Sequence, residues 1–253
     1  MRTTHDFGWG PVPAHRRRDL LRSLVYGTLS NVSQPSPMQS IEVPDGSLLL
    51  DTDGKITAAL LASLTGQLIG GRPIWGFVRY VSLYKVDTIR DVSPDEANLI
   101  IDNGYGFGLV QHCLAAPPGR GGWTASPQLG AAKGATAKAH ADRVGYPTDS
   151  MLTYDNEDVE SGDIAGEIGQ WVSAIGPRPP LLYTGYSPGL TSRQLWALPE
   201  IHCYWGAAGA WDVDECGVAM RQGQTITLHG VEFDPNIAQA DKRGRRVVFA
   251  KAA

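Results

Sequence analysis

Met151-Leu-Thr-Tyr-Asp155-Asn-Glu157-Asp158 is an apolar run that stops on an Asp-x-Glu pair. In a strand, residues two apart share a face. Asp155 and Glu157 therefore project together with Met151 and Thr153 behind them, while Leu152 and Tyr154 face whatever covers the strand. Two carboxylates side by side at a strand end are the minimum equipment for acid–base cleavage of a glycosidic bond. The pair alone is also what a solvated loop or a helix cap presents, so the rest of the chain has to decide.

Composition bounds the answer. With 253 residues the chain can form one large domain, and a single α/β barrel commonly takes about 250. A net charge of −4 gives no reason to expect nucleic acid as a partner. Cys113, Cys203 and Cys216 are widely spaced, match no zinc pattern and read as buried thiols. No phosphate loop, Ser-His-Asp arrangement or clustered ligand set is visible, so neither metal nor cofactor is expected. No run approaches the roughly 18 apolar residues of a membrane span.

Outward from the Asp-x-Glu strand, strands and helices alternate. Residues 1–44 are rich in Pro, Ser, Arg and Gly and read as an extension. Its basic stretch, residues 16–22, reads as an arm docking on a partner or on the barrel. The paired arginines also fit a twin-arginine export signal, against which stand a short apolar run at 24–29 and no small-residue cleavage site. Ser47-Leu-Leu-Leu-Asp51 is a first strand, followed by a helix with Ile56, Leu60, Leu64 and Leu68 on one face. Residues 73–82 give a second strand, and Ser93-Pro-Asp-Glu96 opens a helix as a capping box. Residues 105–113 form a third strand, a Pro/Gly loop with Trp123 follows, and a helix covers about 129–144. The Asp-x-Glu strand is the fourth, with a helix at about 161–175 and a fifth strand at Leu181-Leu-Tyr-Thr-Gly185. Strands then recur at 201–205, 218–222 and 225–234 with connections too short for full helices. The pattern predicts an irregular TIM-like α/β barrel over residues 45–240, five β/α units and then three strands, with a tail at 241–253.

In that order the signals resemble glycoside hydrolase family 25, the muramidase-type lysozymes, and the related glycoside-hydrolase-like domains of actinobacteria and their phages. They are Asp51, Phe77-Val-Arg-Tyr-Val-Ser82, Ser93-Pro-Asp-Glu96, Gly145-Tyr-Pro, Asp155-Asn-Glu157, Leu182-Tyr-Thr-Gly185, Trp205, Gln222 and Phe233-Asp-Pro-Asn236. The resemblance implies Glu157 as general acid and Asp155 as stabiliser of the developing charge or of the attacking group. It implies that Asp51 and Asp234 line the same cleft and tune the pair. Tyr80, Tyr183, Trp205, Gln222 and Trp123 are the candidate substrate-binding residues.

Elementary electrostatics supports the division. Carboxylates crowded in one cleft cannot all ionise, so one keeps its proton near neutral pH, and Glu157 is the expected holder. A retaining outcome is expected, with the substrate's own acetamido group as a possible participant. The partner implied is cell-wall polysaccharide, met outside the cell or from a virion. A glycan-binding barrel that does not cut, and a phage tail component docked through the N-terminal arm, are the alternatives to a hydrolase.

Overall fold

Side chains along the central strands alternate between two apolar environments, and that alternation decides where a site can sit. The structure, a computed structural model, describes residues 35–83, 89–112, 123–185, 189–198, 200–207, 213 and 215–253. The basic arm, Cys113 and the aromatics Tyr84, Tyr186 and Trp211 lie outside the described residues.

The elements begin with β1 (Met38–Glu42), β2 (Leu48–Asp51), α1 (Ala58–Leu64), β3 (Leu68–Ile69), β4 (Arg72–Val81), α2 (Pro94–Asp102) and β5 (Gly106–Gln111). They continue with β6 (Trp123–Ala125), α3 (Pro127–Arg143), β7 (Leu152–Asp155), β8 (Val159–Gly162), α4 (Ile164–Ile175) and β9 (Pro180–Tyr183). The last are α5 (Ser192–Trp196), β10 (Cys203–Gly206), β11 (Met220–Gln222), β12 (Ile226–Leu228), β13 (Val231–Ala238) and β14 (Val248–Ala252). Strands β2, β4, β5, β7, β9, β10 and β11 pair in parallel in that order. β13 then runs antiparallel between β11 and β2 and closes the ring. The result is the irregular barrel expected: β/α units through β9, then β10, β11 and β13 with no intervening helix among the described residues.

Inward-facing Leu49, Val78, Val110, Met151, Leu181, Cys203 and Met220 pack with Phe249 into a filled lower barrel. Outward-facing Leu48, Leu50, Phe77, Leu109, Leu152, Tyr154 and Leu182 meet the helices. Met151 inside and Leu152 and Tyr154 outside is the split that period two predicts for the organising strand. Trp171 is fully buried on the helix side, and its Nε1 donates to Gln111 Oε1 at 2.7 Å. Burying each such large apolar side chain is worth about 1.5–3 kcal/mol.

Helix starts follow the capping rules. Thr57, Ser93, Ser126, Asp163 and Thr191 each accept a backbone N–H from the first turn of α1 to α5.

The structure differs from sequence expectation in four places. The capping box at Ser93 is half made: the Glu96 carboxylate turns away to Arg79 and the Ile56 N–H. The first helix stops at Leu64, and Leu68, expected on its buried face, sits on β3 and is 64% exposed. Residues 159–162 form β8, paired with β6, so α4 begins later than expected, capped by Asp163. Finally, residues 248–252, read as part of a tail, form β14, which pairs with β1, itself inside the residues read as an extension, and touches β5 at Ala250–Phe107. There Phe249 plugs the barrel floor, which accounts for a hydrophobic strand so close to the C-terminus. Cys203 and Cys216 are buried free thiols. Among the described residues no helix is long and apolar enough to cross a membrane.

Candidate active site

A filled floor leaves the carboxyl ends of the strands as the open end of the barrel. A cavity of about 430 Å³ opens there, lined by Asp51, Tyr80, Asp155, Glu157, Tyr183, Trp205, Gln222 and Asp234 among others. A second lobe of about 300 Å³ shares Asp51, Tyr80, Asp155, Glu157 and Asp234 and adds Asp53, Arg90, His112 and Glu232. Among the described residues no cluster of His, Cys, Asp and Glu suited to a metal ion occurs.

Each acid is placed by its strand. Asp51 ends β2 directly opposite Asp234 of β13, an arrangement that sets two like charges face to face. Burial first, then the Asp234 charge, pushes the Asp51 carboxyl up to about 8, so a proton stays on Asp51 near neutral pH. Asn236 Nδ2 reaches its Oδ2 at 3.2 Å and Tyr80 Oη its Oδ1 at 3.5 Å. Asp53, past the end of β2, is exposed and lines only the outer lobe.

Asp155 is 4% exposed, and its Oδ1 accepts the Glu157 N–H at 3.0 Å, a local turn that aims the next acid. The Glu157 carbonyl accepts from Trp123 Nε1 at 2.9 Å. Tyr183 Oη lies 3.2 Å from Glu157 Oε1 and 2.5 Å from Gln222 Oε1, and Gln222 Nε2 donates to Asp234 Oδ2 at 2.8 Å. Burial and the neighbouring carboxylates push the Tyr183 phenol up, so it keeps its proton.

Two aromatic candidates sit deeper than a sugar platform. Trp205 is 2% exposed and forms the cavity floor, its ring against Tyr183 at 4.7 Å and its Nε1 donating to Asn236 Oδ1 at 2.7 Å. Trp123 does not line the cavity. Its indole lies under Lys133 Nζ, 3.6 Å from the ring centroid, and braces the Glu157 backbone from behind. Tyr80 stacks on His112 with centroids 4.3 Å apart, and His112 Nε2 lies 3.3 Å from the buried Asp91 carboxylate. His229, five residues before Asp234 in the sequence, lies away from it and meets Gln67 at 2.9 Å.

Three contributors were given no role by sequence reasoning. Asn236 joins Trp205, Asp51 and the Asp234 carbonyl, and period two from Asp234 could have found it. Thr225 Oγ1 donates to Asp234 Oδ1 at 2.5 Å. Gly185 has φ +57, and a Cβ there would stand 2.0 Å from Glu157 Cγ. Only glycine lets the Glu157 side chain pass. Gly185→Ala should therefore displace Glu157 and cost about 1–3 kcal/mol from overpacking and strain. Denaturant unfolding checks this, and an alanine variant as stable as the wild type would remove the steric argument.

The raised Asp51 carboxyl has a stability consequence whose sign follows from proton binding. Between about 4 and about 8 the folded protein holds a proton there that the unfolded chain has lost, so this contribution weakens as pH rises through that window. Asp51→Asn mimics the protonated form and should gain on the wild type steadily from pH 5 to pH 8. A stability difference that is flat across that range, measured by urea unfolding, would contradict the assignment.

No family model matches the sequence, and no curated protein matches it. Among solved structures, a Tat-secreted protein of Mycobacterium tuberculosis in complex with L-tartrate is similar at TM-score 0.58 and 18% identity, over 77% of this chain and 96% of that one. An uncharacterized B. stearothermophilus protein is similar at TM-score 0.54 and 20% identity, over 77% and 96%. The catalytic domain of an endolysin from bacteriophage P40 of Listeria monocytogenes stands at TM-score 0.49 and 13% identity, over 77% and 93%, too distant to carry an argument. At these identities the first two likenesses show a shared barrel fold and nothing finer.

Proposed function

We propose that this protein is a glycoside hydrolase acting on a bacterial cell-wall glycan, of the muramidase type. The observation that carries the reading is the meeting of Asp51, Asp155, Glu157 and Asp234 in one cavity at the carboxyl ends of the barrel strands. In this reading Glu157 protonates the leaving oxygen as the C–O bond breaks, and the bonding electron pair departs with that oxygen. Asp155, ionised and partly shielded from water, meets the positive charge that develops on the sugar ring, alone or beside the substrate's acetamido group. Asp51, neutral, and Asp234 fix the far wall of the cleft. Tyr80, Tyr183 and Gln222 offer hydroxyl and amide groups to sugar hydroxyls. Such a substrate places the site of action outside the cell.

The test uses purified peptidoglycan and the full chain, scoring new reducing ends and the mass of the released fragments. Release of disaccharide-peptide fragments is expected. If the chain sediments with the walls yet liberates no reducing ends, the barrel binds glycan without cutting it. Docking on a phage tail or another assembly through residues 16–22 is a separate proposal, tested by deleting residues 1–34 and asking whether the barrel keeps its stability.

A further inference from the structure

The polar contacts around Glu157 form a chain whose direction can be worked out by counting protons. Gln222 presents its Nε2 to Asp234 Oδ2 at 2.8 Å. Turned over, the amide would set its own oxygen against the Asp234 carboxylate, two acceptors with nothing between them. The amide oxygen therefore faces Tyr183. The Tyr183 hydroxyl owns one proton and has two acceptor atoms in reach, Gln222 Oε1 at 2.5 Å and Glu157 Oε1 at 3.2 Å. The shorter contact takes that proton, because Gln222 Oε1 would otherwise stand against a lone pair. What remains between Tyr183 Oη and Glu157 Oε1 is a hydrogen bond only when Glu157 brings a proton of its own.

Building on the hydrolase reading above, we propose that Gln222 is a positioning residue. By claiming the Tyr183 proton it leaves a lone pair toward Glu157 and so keeps on that acid the proton it must deliver. Once Glu157 has given that proton to the leaving oxygen, the Tyr183 hydroxyl can turn to the new carboxylate, and Gln222 Oε1 gives up its donor. The chain thus favours the neutral acid before the reaction and accommodates the carboxylate after it.

Other charges face Glu157. Asp155 on its own segment and Asp234 on β13 favour its neutral form as well, Asp51 on β2 joins them only once it loses its own proton at about 8, and Glu232 lines the outer lobe. Arg90 in that lobe opposes them, with His112 and the Tyr80 phenol on the same side. None of these is altered by the substitutions that test the chain.

The test needs no substrate. In the full chain labelled with [13C]glutamate, the Glu157 carboxyl resonance is identified by its loss in Glu157→Gln and followed through a pH titration. Gln222→Leu frees the Tyr183 proton for the carboxylate, and the Glu157 midpoint should fall by roughly one pH unit. Tyr183→Phe removes the donor and the lone pair together, so the midpoint should fall less than in Gln222→Leu, and adding Gln222→Leu to Tyr183→Phe should move it no further. A merely structural role of Gln222 would shift the midpoint whether or not Tyr183 is present. An unchanged or raised midpoint in Gln222→Leu, or a further fall when Gln222→Leu is added to Tyr183→Phe, overturns the proposal. Wild-type protein that shows this titration pattern yet releases no reducing ends would sink the hydrolase reading and leave the chain standing; the reverse result would sink the chain alone.

Discussion

Glu157→Gln should abolish wall cleavage, with a loss of 10²- to 10⁴-fold, the usual worth of a positioned general acid. The substitution keeps the shape of the side chain, so Gly185 still leaves room for it and the Asp155–Glu157 turn, made by the backbone N–H, is untouched. What is lost is a transferable proton. The loss should fall on kcat, with sedimentation on walls preserved. Asp155→Asn is the informative companion. Its amide oxygen can still accept the Glu157 N–H, so the variant removes charge and leaves the turn in place. A Glu157→Gln variant that retains activity within about tenfold of the wild type would move the acid role elsewhere, with Asp51, held protonated toward about 8, as the next candidate.

How much of this was legible depended on the range of the interaction. Period-two alternation is local, so Met151 inward and Leu152 and Tyr154 outward could be read directly from the Met151–Asp158 stretch, as could the Ser93 cap that starts α2. The strand-helix rhythm carried the barrel class for the same reason. Features that depend on distant partners were not legible. Trp123 looked like a loop aromatic free to meet sugar; a three-residue pairing with β8 and the Lys133 ammonium turn it into a brace behind Glu157. Glu96 carried a capping signature, but a buried guanidinium outcompeted the local bond. The role of Gly185 follows from a side chain that crosses from β7, and no local pattern announces such an approach. Asn236 was readable in principle, since it is two residues past Asp234, yet only the ring closure of β13 against β2 and β11 shows which groups it joins.

The largest stability effect is expected at Arg79, which reads from sequence as half of an Arg-Tyr pair on the second strand. Tyr80 faces the cavity, so Arg79 faces out of the barrel, where it is fully buried. Its Nε donates to Glu96 Oε1 at 2.7 Å, Nη1 to the Thr52 carbonyl and Nη2 to the Arg90 carbonyl at 3.0 Å. One guanidinium thereby ties the end of β2, just past Asp51, to α2 and to the loop that brings Arg90 to the outer lobe. Arg79→Met fills much of the volume but leaves Glu96 with only the Ile56 N–H and the partly exposed Lys55, 3.3 Å away. Breaking a buried pair from one side costs about 3–5 kcal/mol, because the surviving charge stays buried. In a chain of this size that lowers the melting temperature by on the order of 10 °C. Adding Glu96→Leu should return part of the loss, since it removes the stranded carboxylate, although the freed Ile56 N–H keeps recovery incomplete. Calorimetry on the two single variants and the double variant measures the coupling. If Arg79→Met unfolds within about 1 kcal/mol of the wild type, or if the double variant is less stable than Arg79→Met, the pair does not hold the end of β2, and another contact must position Asp51.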